Sequence, residues 1–141
     1  VGPEGKVTGI ESQPLIETVV GYGLAHFKAE NWPIQEAMRG IETVCADAFS
    51  YLKQQEDDSV DVVYFDPMFR HPLLESRSLS PLRTVANHAP VSPAMIEEAC
   101  RVARRRVVFK ENARSLEFER LGFTQIMGGR YSKVHYGVRI L

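Results

Sequence analysis

Asp66, Pro67, Met68 and Phe69 close a nearly continuous apolar run, Val60 to Phe65 (VDVVYF). A carboxylate beside a proline presents acceptors and few donors, because proline has no backbone N–H. An amino group conjugated to an aromatic ring is a poor nucleophile, since its lone pair is delocalised. The Asp66 carboxylate and the Pro67 carbonyl would accept its two N–H bonds and turn the lone pair toward an electrophilic carbon for in-line displacement. Phe69 would offer a stacking face to a flipped or unpaired base. The plain alternative is an Asp-Pro turn leaving a strand.

Two further acids end apolar runs. Glu11 closes KVTGIE, and an acid in that place in a dinucleotide-type fold can accept both ribose hydroxyls of an adenosine; its alternative is a surface glutamate at a strand end. Asp47 follows IETVCA, where it would face an adenine amino group or cap the helix over residues 48–54, and the two roles are compatible. After the Asp66 segment, residues 70–90 carry Arg70, His71, Arg77, Arg83 and His88 against Glu75 alone. Such a loop would contact phosphates of a nucleic-acid strand, or be solvated with its arginines paired elsewhere. Lys110 ends RVVFK on the presumed ligand side. Trp32, Tyr131 and Tyr136 could stack on bases, although packing in the core or an amphipathic surface is the ordinary role of single aromatics.

These residues need a scaffold that brings strand ends together. Lys6–Glu11 and 41–46 read as strands, each followed by a helix, the first beginning at Pro14 with Leu15, Ile16, Val19, Val20, Leu24 and Phe27 at helical spacing. Gly21 and Gly23 weaken that helix and point to close packing. Val60–Phe65 has the apolar continuity of a central parallel strand covered on both faces. Ser92 and Pro93 open a helix with Glu97 and Glu98 early, Arg101, Arg104 and Arg105 late, and a buried face of Ile96, Ala99, Cys100 and Ala103. Strand 106–110, a short helix at 116–121 and an antiparallel pair, 124–127 with 134–140, complete the chain. Alternating strands and helices predict an α/β domain with a mostly parallel sheet, which binds ligands beyond the carboxyl ends of its strands.

The 141 residues, 44% hydrophobic and 25% charged, have the composition of one globular domain. A net charge of -1 gives no global attraction to nucleic acid, so any such attraction must be local. Cys45 and Cys100 lack metal-ligand spacing and are expected to be buried and inert, which suits a reducing cytoplasm; no apolar run reaches membrane-spanning length.

With DPMF at a strand end, the chain resembles class I S-adenosylmethionine-dependent methyltransferases that modify amino nitrogens. More narrowly, it is similar to the bacterial 16S ribosomal RNA guanine-N2 methyltransferases of the J type in KVTGIESQP, IETVCAD, VDVVYFDPMFRHP, RVVFK and GRYSKVHYGV. That likeness implies a Rossmann-like sheet, mostly parallel with an antiparallel C-terminal strand, and S-adenosylmethionine as cofactor with no metal. It implies Glu11 on ribose beside Ser12, Asp47 and Ala48 near adenine, and Asp66 at the cofactor's edge, acting with Pro67 and Phe69 on the target amine. Arg70, His71, Arg77, Arg83 and Lys110 are the expected contacts to RNA, with ribosomal RNA or the small ribosomal subunit as partner. The family carries proline and lysines after the motif where this chain has Arg70 and a different loop. The fold's first strand and glycine-rich loop are expected ahead of Val1, making residues 1–141 one N-terminally incomplete domain. Competing readings are methylation of adenine N6 or a protein glutamine, and a non-catalytic Rossmann-like RNA-binding module. Nicotinamide chemistry gives the Asp66 motif no task.

Overall fold

The computed structural model describes residues 1–2, 4–69 and 84–141. They fall into two compact units, residues 1–48 with 84–87 and the described residues among 49–83 and 88–141.

In the first unit, β1 (Val7–Glu11) pairs in parallel with β2 (Ile41–Cys45), and Glu11 stands opposite Cys45. The crossover holds α1 (Pro14–His26), with proline in its first turn as expected, and α2 (Trp32–Arg39), a helix unforeseen from the sequence. Gly21 faces Thr43 of β2: an added methyl group would lie 2.8 Å from the threonine hydroxyl, so the predicted close packing holds here. Gly23 faces open space. The apolar stripe of α1 is not buried; Leu15, Val19, Val20 and Phe27 are exposed, and no described residue of this unit is fully buried. Two strands cover only one side of such a helix.

In the second unit, the sheet order is β3 (Val60–Phe65), β4 (Ala103–Asn112), β6 (Val134–Ile140), β5 (Gln125–Met127). β3 runs parallel to β4, and the C-terminal hairpin is antiparallel. Parallel pairing is found in β1–β2 and in β3–β4, while β6 pairs antiparallel with both β4 and β5, a mixed α/β arrangement that is mostly parallel up to the C-terminal hairpin. Alternation along β4 sends Val107, Phe109 and Glu111 to the core side, against α4 (Pro93–Val102) and α5 (Glu117–Arg120). Phe109 is gripped edge-on by Phe118 and stacked on Phe123. Gly137 of β6 lies beneath both of the latter rings, which any side chain there would strike. Ser92 caps α4 as predicted, its Oγ accepting from the Met95 N–H at 3.1 Å.

Three expectations are corrected. β3 is not covered on both faces: it pairs only with β4 among the described residues, and Val60, Val62 and Tyr64 are exposed while Val63 and Phe65 pack on the core. Arg104 and Arg105 do not belong to a helix end, because α4 stops at Val102 and β4 begins at Ala103 without a loop; Ala103 is nonetheless buried as foreseen. Cys45 is exposed and Cys100 half-buried, so neither is the fully buried thiol anticipated.

Candidate active site

In the first unit the parallel register brings the ends of β1 and β2 side by side, and the Ala46 N–H donates to the Glu11 carbonyl at 3.0 Å. Glu11, Ser12, Asp47 and Ala48 therefore gather at one end of this strand pair, Asp47 just before α3 (Ala48–Lys53). The Glu11 carboxylate is held through one oxygen: Oε1 accepts from the Gln13 N–H at 2.8 Å and from the Ser12 hydroxyl at 3.5 Å. Oε2 accepts no bond among the described residues, and Glu11 is half-buried. A fixed carboxylate with a spare oxygen fits adjacent ribose hydroxyls, so this end suits the nucleoside part of an adenosine-bearing cofactor. Asn87 was missed from sequence; its Nδ2 donates to Ser12 Oγ at 3.2 Å, which adds it to this end. A lone asparagine in an irregular segment carries no periodic signal.

In the second unit Asp66 follows the last residue of β3, and the register that sets Phe65 beside Phe109 carries it to Lys110. Lys110 Nζ donates to Asp66 Oδ2 at 2.9 Å and stands 5.8 Å from the centre of the Phe69 ring. Asp66 Oδ1 accepts nothing among the described residues. Tyr64 lies two residues before Asp66 on the same sheet face, and Tyr136 is the cross-strand partner of Lys110. Burial pushes the Tyr64 phenol up and the Asp66 charge adds to this, with Lys110 partly relieving it and Tyr136 adding a little. Burial on its own would lower Lys110, but the Asp66 hydrogen bond and charge outweigh it, and the ammonium is held above the ordinary lysine range. Lys110, expected from the sequence as a contact to RNA on the ligand side, is paired with Asp66. The signal was present, since both residues end apolar runs in neighbouring strands.

Pro67 and Phe69 are half-buried directly after Asp66. Arg70, His71, Arg77 and Arg83 lie outside the described residues. Tyr131 is 90% exposed, which rules out the core-packing role.

Acids that close parallel strands of an α/β fold, one of them followed by Pro-Met-Phe, stand at the strands' carboxyl ends, where proteins of the α/β class bind their ligands. The family described as "Putative SAM-dependent methyltransferase" matches residues 4–127, and the chain belongs to that family. The family's cofactor is S-adenosylmethionine. The chain is 42% identical over 138 residues to the uncharacterized protein YpiP of Bacillus subtilis (strain 168), covering 98% of this chain and 53% of that protein. It is 30% identical over 104 residues to ribosomal RNA small subunit methyltransferase J of Pseudomonas fluorescens (strain Pf0-1), 72% of this chain and 40% of that protein. It is also 30% identical over 114 residues to the protein of that name from Thioalkalivibrio sulfidiphilus (strain HL-EbGR7), 78% of this chain and 44% of the relative. The chain spans about half or less of the length of these relatives.

Proposed function

We propose that this protein transfers the methyl group of S-adenosylmethionine to an exocyclic amino group of a nucleic-acid base, guanine N2 of ribosomal RNA, in the cytoplasm. The observation that carries the proposal is Asp66: an acid leaving a β-strand into Pro67, one oxygen steadied by Lys110 and the other open. Oδ1 and the Pro67 carbonyl accept the two N–H bonds of the target amine, and Phe69 stacks on its base. Lys110 positions the carboxylate. Glu11, with Ser12 beside it, holds the ribose hydroxyls, and Asp47 with Ala48 borders the adenine. The cofactor supplies an electrophilic methyl group. The continuous family match over residues 4–127 supports treating the chain as part of one methyltransferase domain. Relatives named for ribosomal RNA support RNA, bare or in the small subunit, as the substrate.

The test incubates the intact protein and labelled cofactor with RNA, DNA and protein fractions from a strain lacking it. Label is expected in RNA, on guanine N2 after digestion to nucleosides. Asp66→Ala is expected to slow transfer by about 100-fold or more, the scale of losing one dedicated polar group at a reacting centre, with cofactor affinity largely kept. Label on adenine N6 or a protein glutamine would replace guanine as the target. Failure to bind the cofactor would favour the non-catalytic RNA-binding module.

A further inference from the structure

Beyond Asn112 the chain turns tightly: the Arg114 N–H donates to Asn112 Oδ1 at 3.0 Å and the Ser115 N–H to the Asn112 carbonyl at 2.9 Å. A second turn precedes β6, with the Ser132 N–H on the Gly129 carbonyl at 2.9 Å and Ser132 Oγ bridging both backbone groups of Val134. The Ala113 N–H donates to the Lys133 carbonyl at 3.0 Å and ties the two turns together. Between them lies an open pocket of about 560 Å³, whose lining includes Asn112, Arg114, Arg130, Tyr131, Lys133 and His135. Among the described residues, no acidic side chain lines it. The Arg114 and Arg130 side chains make no ion pair with a carboxylate among the described residues, and Arg130 instead lies 5.6 Å from the Tyr131 ring centre. Tyr131 shows 90% of its surface to solvent. A position for a large ring that buries almost nothing has no folding rationale, whereas an open aromatic face beside guanidinium groups suits an unpaired base next to its phosphates.

We propose that this pocket binds the single-stranded RNA flanking the target nucleotide, with Arg114 and Arg130 on phosphates and Tyr131 stacked on a base. Its place in the unit supports this. Asn112 lies two residues along β4 from Lys110, about 7 Å at the rise of a strand, and the pocket opens at the same sheet end as Asp66. That separation is about two phosphate spacings of a stacked strand. The inference rests on the base-methylation reading and adds a binding site whose residues that reading does not use.

The test measures binding of a fluorescein-labelled, mixed-sequence single-stranded RNA to the intact protein across a salt series. For the triple variant Arg114→Ala, Arg130→Ala, Tyr131→Ala, about tenfold or greater loss of affinity is expected from the lost stacking and charge. The slope of log affinity against log salt is expected to fall by about 1.4, two phosphate contacts at about 0.7 each. Arg130→Glu alone should weaken binding in the same direction, which guards against a misfolded triple variant, and cofactor binding should be unchanged in both. Should the variants keep wild-type affinity and slope while the wild-type protein methylates RNA, the pocket assignment falls and the methylation reading stands. Should the wild-type protein bind no RNA and label protein instead, both fall.

Discussion

At the scale of single residues, the Asp66–Lys110 pair decides how the site responds to pH. Their side chains are 49% and 27% exposed, so the pair stabilises the fold by about 1 kcal/mol or less, and its worth lies in orientation. Because the folded-state Lys110 is raised, its stabilisation is fully present below the unfolded lysine pKa and is lost only as pH climbs through the raised value. From neutral to mildly alkaline pH the pair is therefore constant, and any change in transfer rate there comes from another group. An NMR titration of Lys110 should show it ionising above the ordinary lysine range, and Asp66→Asn should bring it down; a Lys110 that titrates normally would remove the positioning role. Lys110→Met should lower the rate constant for transfer more than it raises KM for RNA, because it frees the acceptor carboxylate to rotate; a rise in KM alone would mark Lys110 as an RNA contact instead.

At the scale of elements, the contrast between Gly21 and Gly23 tests the α1–β2 packing. An alanine at 21 meets the Thr43 hydroxyl, which donates to Glu17 Oε1 at 2.6 Å, so the substitution must break that bond or shift the helix. Overpacking costs about 1–3 kcal/mol against about 1 kcal/mol of helix propensity gained, so Gly21→Ala should destabilise by about 1 kcal/mol. Gly23→Ala meets nothing and should stabilise by about 0.5–1 kcal/mol; chemical denaturation of the two variants separates them. Both glycines look alike in the sequence, and only the register of α1 on β2 tells them apart. The same division between local and long-range information runs through the chain. Strand and helix periods, the Ser92 cap and the C-terminal hairpin are local, and they are legible. The start of β4 at Ala103 is not, because Arg104–Arg105–Arg106 suits a helix end as well as the exposed start of a strand, and pairing with β3 and β6 decides it. Helix α2 escaped notice because it has only 8 residues, so Trp32, Ile34, Ala37 and Met38 span barely two turns and establish no period.

At the scale of the molecule, a net charge of -1 hides an uneven distribution. Arg101, Arg104, Arg120 and Arg139 are each joined to an acid, Asp57, Asp61, Glu117 and Glu97 respectively, and serve the fold. The acids that close strands β1 and β3 keep an oxygen open instead, which suits ligands more than stability. A ligand that binds only the folded chain must stabilise it by mass action, by about 2.7 kcal/mol at a hundredfold excess over Kd. S-adenosylmethionine should therefore raise the melting temperature of the intact protein. Glu11→Ala should abolish most of that rise, because the ribose hydroxyls lose their acceptor, while Asp66→Ala should retain it and still fail to transfer. Thermal denaturation with and without cofactor, alongside the transfer assay, reads both variants at once. Equal melting shifts in wild type and Glu11→Ala would remove Glu11 from the cofactor site, even if Asp66 proved essential to the chemistry.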